Sequence, residues 1–356
     1  MNEKVSLVVG ASGISGLNLA THLAAQNDGK VYGLSRNPIA VEGVKPIAAD
    51  LLDISALKQL LKDLGVTHAY FTTWLRQENE EKNCEVNGQM LTNLLDALQG
   101  PTLNHVTLVT GGKNYFGSFE DSGNFEVVTP YREDQLRKPG LNFYYTQEDI
   151  LWDRAARDGF TWNVHRPQTI IGYALGNSMN MGVTLAVYAT ICKETNRPFI
   201  FPGSPVQYNG VADITDARIL AKQIHWAATT PAAHNQAFNI DNGDIFRWSW
   251  MWQQIADYFR LVAAPYPGHA TPLEIQMKDA GPAWNKIVQE YGLQKRDVHA
   301  LAPWWHTDSD LSRPFESFDD MSKSRALGFL EYKKSSTSFT DLFDKLRAEK
   351  IIPSQE

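Results

Sequence analysis

The 356-residue chain contains only two cysteines, Cys84 and Cys192. Two thiols make no disulfide framework, and the scarcity fits a reducing cytoplasm. Positive charge is not in excess: 33 Lys and Arg stand against 40 Asp and Glu, a net charge of −7. No general attraction to nucleic acid or to an anionic membrane is expected from that balance. No apolar run reaches the roughly 18 residues that a membrane span requires. The opening residues enter a strand almost at once, so no signal peptide is expected and the predicted location is cytoplasmic. No grouping of His, Cys and Asp has metal-ligand spacing, so no metal is expected. Internal repeats and low-complexity segments are also missing.

What is present reads as a globular enzyme-sized chain. Apolar residues make up 43% and charged residues 21%, an ordinary soluble composition. The length allows a large core and more than one lobe. Ten tryptophans are present, many in the second half, at 248, 250, 252, 284, 304 and 305. Core packing is the first reading of these; an aromatic wall around an apolar ligand is the second.

The first 170 residues alternate short β-branched runs with helical stretches. Val5–Val9, Lys30–Leu34, Val44–Ala48, Val66–Thr72 and His105–Val109 read as strands, with a sixth over 161–165. Residues 14–26, 54–64, 81–98 and 144–158 have helical spacing, and Asp53 can cap the second of these. This alternation predicts an α/β fold, a Rossmann-type doubly wound parallel sheet. We place the dinucleotide-binding domain at residues 1–166. Residues 167–356 are read as a smaller, mostly helical substrate lobe, with some segments free to return to the sheet.

Gly10-Ala-Ser12-Gly13-Ile14-Ser-Gly16 follows the first strand and opens a helix. Its glycines suit a tight turn and a close approach of backbone to pyrophosphate, which the helix N-terminus attracts. At the end of the second strand, where NAD binders usually carry an acid, stand Ser35, Arg36 and Asn37. An arginine pairs with a 2′-phosphate that an acid would repel, so NADP(H) is the expected cofactor. Asp50 and Leu51 are placed beside the adenine, although Asp50 also reads as a helix cap.

Three strand ends are expected to meet at the nicotinamide. The fourth strand delivers Thr72, Thr73 and Trp74, and the fifth delivers Thr110-Gly-Gly-Lys113. The helix that follows brings Tyr144 and Tyr145. Pro167 and Ile170, after the sixth strand, complete the cofactor-binding set. A tyrosine hydroxyl can donate to a carbonyl oxygen as charge builds there, and a nearby ammonium supports it. Short-chain dehydrogenases normally supply that ammonium from a lysine four residues after the tyrosine. Here those positions hold Glu148 and Asp149, which read as acids favouring the helix dipole. The lysine would have to arrive from the fifth strand as Lys113. One tyrosine of the pair is expected to be packing, because adjacent helical residues point about 100° apart. Cys84 and Cys192 read as small packing residues, and His165 and Arg166 as strand-end polar residues.

These residues resemble a known family. Gly10–Gly16, Thr72-Thr-Trp74, Thr110-Gly-Gly-Lys-Asn-Tyr115, Asn142-Phe-Tyr-Tyr-Thr-Gln-Glu-Asp149 and Val164-His-Arg-Pro167 are similar to motifs of the progesterone 5β-reductase/iridoid synthase-like (PRISE) enzymes. Those enzymes are extended short-chain dehydrogenases. The resemblance continues through Ser178-Met-Asn180, residues 187–193 and residues 237–244. It implies NADPH-dependent reduction of an activated C=C bond in an enone or enal. It further implies Lys113 and Tyr144 as the catalytic pair, with Trp74, Phe119, Ser122, Tyr145 and Met179 in the substrate pocket. Ser122 stands where the steroid-reducing members carry a bulky tyrosine, which predicts a differently shaped pocket. A carbonyl reductase and a non-catalytic NADP(H) sensor are the alternative readings. The expected partner is a small apolar carbonyl compound. The weakly charged 184–192 stretch suits either a pocket or a homodimer interface.

Overall fold

A computed structural model describes residues 3–118 and 125–354 of the chain. The chain divides into two compact units. The first comprises Met1–Gln168, Ala217–Asp241 and Asp319–Glu331. The second comprises Thr169–Asp216, Asn242–Phe318 and Tyr332–Glu356.

The first unit opens with β1 (Lys4–Val9), α1 (Ile14–Gln26), β2 (Gly29–Ser35), β3 (Val44–Ala48) and α2 (Ile54–Leu61). It continues with β4 (His68–Phe71), α3 (Glu80–Ala97), β5 (His105–Val109), α4 (Lys113–Phe116), α5 (Phe143–Asp158) and β6 (Thr161–Pro167). The second unit then takes β7 (Ile170–Ile171), α6 (Met181–Glu194), α7 (Pro205–Asn209) and β8 (Thr215–Asp216). The chain returns to the first unit for α8 (Ala217–Thr229) and β9 (Gln236–Ile240). The second unit resumes with α9 (Trp248–Phe259), α10 (Leu273–Gln276), α11 (Ala280–Tyr291), α12 (Val298–Leu301) and α13 (Trp304–Leu311). Finally α14 (Ser322–Ala326) belongs to the first unit and α15 (Ser335–Ala348) to the second.

The sheet of the first unit has seven strands in the order β3-β2-β1-β4-β5-β6-β9, and all its pairings are parallel. The order reverses between β1 and β4. In such sheets the crevice at that switch point, beyond the carboxyl ends of the strands, is where ligands bind. Helix α1 packs with α8, while α3 packs with α2 and α5. The central strands β1 and β4 are almost wholly buried and apolar, as strands covered on both faces should be, whereas the edge strand β3 has no buried residue. Leu7, Val9, Phe71, Val106, Leu108 and Val164 are buried in one core with Leu91, Leu94 and Leu151 of the helices.

The second unit is largely helical, with a two-stranded parallel ladder of β7 and β8. Its core is aromatic. The rings of Phe199 and Trp252 stack at 4.2 Å, and Trp248, Trp284 and Trp304 are buried in the same cluster. Core packing therefore accounts for most of the late tryptophans; Trp250 is exposed. Residues 273–291 have helical spacing but form two helices, broken after Gln276.

Among the described residues, no helix is long and apolar enough to cross a membrane.

Candidate active site

The glycine loop sits at the carboxyl end of β1. Gly10 turns with φ 88°, and its carbonyl accepts the Gly13 amide at 2.9 Å. A Cβ on Gly16 would lie 2.3 Å from the Gly10 oxygen and 2.7 Å from Thr72 Oγ1, so α1 reaches the loop only because that side chain is missing. Gly13 is the N-cap of α1, and no side chain caps the helix. The first amides of α1 are therefore not spent on a capping group, the arrangement that suits a phosphate. Ser12 is half-buried in this turn and Ile14 is buried beneath it.

Ser35 ends β2 as a buried residue, whereas Arg36 and Asn37 are exposed just beyond it. After β3, Asp50 accepts the Leu52 amide at 2.9 Å. Leu51 is buried, and its carbonyl accepts Asn93 Nδ2 at 2.8 Å. A cradle that a Cβ would fill and an uncapped helix start together fit the pyrophosphate of a nicotinamide dinucleotide.

Three strand ends, those of β4, β5 and β6, carry the neighbouring candidate residues. Thr72 Oγ1 donates to the Val9 carbonyl at 2.8 Å, tying the end of β4 to β1. Trp74 then stacks on Phe143, the first residue of α5, with centroids 5.0 Å apart. Thr110 continues β5, its amide donating to the His165 carbonyl at 2.9 Å. Pro167 ends β6, in register with Ile240.

Lys113 opens α4 and is only 4% exposed. Its Nζ lies 3.2 Å from both carboxylate oxygens of Glu80. The ammonium also stands 4.4 Å from the centroid of the Phe143 ring and 5.5 Å from that of Tyr144. Burial pulls the Lys113 pKa below its ordinary value, and the Glu80 charge opposes that pull. Asn142, the N-cap of α5, accepts the Tyr144 amide at 3.0 Å and donates to the Lys113 carbonyl at 2.9 Å.

The two tyrosines differ in what their hydroxyls face. Tyr144 is half-buried, and its hydroxyl lies where a Cβ on Gly111 would approach to 3.2 Å. Tyr145 is 8% exposed. Its hydroxyl donates to the Asn114 carbonyl at 2.7 Å and accepts the Lys138 amide at 3.0 Å. The Tyr145 hydroxyl, expected at a substrate pocket, is thus engaged in internal bonds.

Glu148, in the position one turn beyond Tyr144, is not a first-turn acid answering the helix dipole. The first turn of α5 holds no acid, and Glu148 is fully buried. It accepts from Asn114 Nδ2 at 3.0 Å, Arg166 at 2.9 Å and Arg137 at 2.9 Å. Arg166 is correspondingly more than a strand-end polar residue: it also donates to the Tyr115 hydroxyl at 3.2 Å. Asp149 is exposed and pairs with Arg137 at 2.7 Å.

Phe119 and Ser122 lie outside the described residues. Ile170 and Met179 belong to the second unit. Ile170 begins the β7–β8 ladder, and the Met179 amide donates to Asn177 Oδ1 at 2.9 Å. Cys84 is half-buried and Cys192 buried, both as free thiols. The residue that the sequence reading missed is Glu80. Its only sequence signal is an acid directly after the cap Asn79, whose side chain accepts the Lys82 amide.

The model of the PRISE-like Rossmann-fold domain matches residues 6–353. The chain belongs to the PRISE family. Among this PRISE protein's relatives is (S)-8-oxocitronellyl enol synthase ISY1 of Nepeta cataria. It is 40% identical over 364 residues, covering 99% of this chain and 94% of the relative. Another is 3-oxo-Δ4,5-steroid 5β-reductase of Arabidopsis thaliana, 38% identical, with 99% and 94% covered. Solved structures at lower identity share the fold. UDP-glucose 4-epimerase of Thermotoga maritima aligns with a TM-score of 0.68 at 13% identity, over 97% of this chain and 99% of that one. The PRISE protein is therefore an oxidoreductase of the extended short-chain dehydrogenase type.

Proposed function

We propose that this PRISE protein reduces the activated C=C bond of a small apolar enone or enal with NADPH. The observation that carries the reading is the grouping at the start of α5: a buried Lys113 ammonium 5.5 Å from the ring of Tyr144, beside a tyrosine whose own hydroxyl is spent internally. The relatives named for reducing an oxo-Δ4,5-steroid and for making an enol from an oxocitronellyl substrate support the same chemistry.

NADPH, when bound, supplies hydride to the β-carbon of the conjugated carbonyl. The Gly10–Gly16 loop and the start of α1 would hold its pyrophosphate. Arg36 would pair with its 2′-phosphate, which favours NADPH over NADH. Negative charge then gathers on the substrate carbonyl oxygen, and the enolate so formed takes a proton from solvent at its α-carbon to give the saturated carbonyl. Tyr144 donates a hydrogen bond to that oxygen, and the Lys113 ammonium beside the ring favours charge in that place. Trp74 and Phe143 give the site an apolar wall that strengthens both effects by excluding water.

The test is NADPH oxidation by the purified protein with a panel of enones and enals, followed by product identification. A saturated carbonyl product supports the reading. An allylic alcohol would make the protein a carbonyl reductase, and binding of NADPH without turnover of any substrate would make it a sensor.

A further inference from the structure

We infer that Glu80 is a positioning residue for this reaction: one buried carboxylate sets both the charge of Lys113 and the start of the helix that carries Tyr144. The inference rests on the roles proposed above for Lys113 and Tyr144, and its test is arranged to separate the two.

Glu80 is the first residue of α3, 3% exposed, and its carboxylate is used on both oxygens. Oε1 accepts from Lys113 Nζ at 3.2 Å and from the Phe143 amide at 2.8 Å. Oε2 accepts from Lys113 Nζ at 3.2 Å and from Asn83 Nδ2 at 3.0 Å. The Phe143 amide is one of the first N–H groups of α5, which no residue within that helix can satisfy. Asn142 completes the clamp by holding the Lys113 carbonyl. Lys113 is thus fixed at its backbone by the cap of α5 and at its ammonium by the carboxylate that also binds α5. A shift of Glu80 would move Lys113 and the tyrosine helix together.

The carboxylate also decides whether the lysine keeps its proton. An ammonium this deeply buried favours the neutral amine unless an opposite charge lies within about 4–6 Å. Other groups acting on Lys113 are weaker: Cys84 on α3 favours the proton, and Arg76 ahead of α3 opposes it. Tyr144 offers its ring to the ammonium from α5. Glu80 is the largest influence that holds the proton in place.

Glu80→Gln separates the two functions. The amide oxygen can still accept the Phe143 amide, so α5 stays anchored, but the negative charge is gone. Lys113 then loses its proton at lower pH. The alkaline limb of the kcat/KM profile should move down by about one pH unit or more, the size of an opposite-charge effect at this range. Glu80→Asp, which keeps the charge, should restore the limb toward its original position. Combining Glu80→Gln with Lys113→Met should cost no more activity than Lys113→Met alone. Circular dichroism and NADPH binding establish that each variant is folded. An unmoved alkaline limb in folded Glu80→Gln, with Tyr144→Phe and Lys113→Met both impaired, overturns the positioning role. Full activity in Tyr144→Phe and Lys113→Met instead overturns the catalytic reading on which it rests.

Discussion

Replacing Tyr144 and Tyr145 one at a time separates chemistry from packing on neighbouring residues. The two side chains leave α5 about 100° apart, and their hydroxyls accordingly have different surroundings. Tyr145 donates to the Asn114 carbonyl and accepts the Lys138 amide. Arg137 lies 4.7 Å from its ring centroid. Tyr145→Phe keeps the ring and deletes both hydrogen bonds. At about 0.5–1.5 kcal/mol each, the expected loss of stability is about 1–3 kcal/mol. Tyr144→Phe keeps the ring contact with Phe143, whose centroid is 4.5 Å away, and removes the donor assigned to the substrate oxygen. The expected effect is a fall in kcat of about 10²–10³, with stability changed by less than about 1 kcal/mol. Urea unfolding and steady-state enone reduction on both variants decide the matter. Wild-type turnover in Tyr144→Phe, or a collapse of turnover confined to Tyr145→Phe, would refute the assignment.

Three further outcomes are expected. Gly16→Ala should weaken NADPH binding at least about tenfold, measured by fluorescence titration, because its Cβ would sit 2.3 Å from a backbone oxygen that cannot swing aside; unchanged affinity would contradict the cradle. Arg36→Glu should raise KM for NADPH by about tenfold or more while leaving that for NADH nearly constant, and an equal effect on both would remove the 2′-phosphate role. Stability should decline in acid because burial lowers the pKa of His165 from 6.5 to about 4. Above pH 6.5 neither the folded nor the unfolded chain protonates it, whereas between pH 6.5 and about 4 only the unfolded chain gains the proton. That difference is worth about 3 kcal/mol, so urea unfolding of His165→Gln should show a shallower loss from pH 7 to 4, and an unaltered slope would refute it.

The sheet was readable because its central strands are short apolar runs between turns, and the longer helices α1, α2, α3 and α5 each have a periodic face. The Gly10–Gly16 loop, Lys113 and Tyr144 were readable for a related reason: each lies at a strand end or helix start that the alternation itself locates. Glu80 was not. Its partner lies 33 residues away, and a single long-range ion pair leaves no period in the sequence. The same holds for Glu148, whose burial depends on Arg166 arriving from β6 and Arg137 from the segment before α5. The short elements β7, β8, α7 and α12 escaped because two to five residues cannot establish a pattern. The long final helix α15 was also missed, its serine-rich start resembling a loop although Phe339, Leu342, Phe343 and Leu346 line its buried side.

The chain passes between its two units five times, at 168/169, 216/217, 241/242, 318/319 and 331/332. Neither unit exists as one stretch of sequence, so neither can be expressed whole by cutting the gene once. Synthesis from the N-terminus also completes β6 well before β9, the strand that covers its outer edge. During that interval the emerging protein carries an unpaired parallel edge, and α8 has yet to arrive over α1. A nascent chain that has released β6 but not yet β9 therefore presents β6 as an uncovered edge strand, and release of β9 covers that edge.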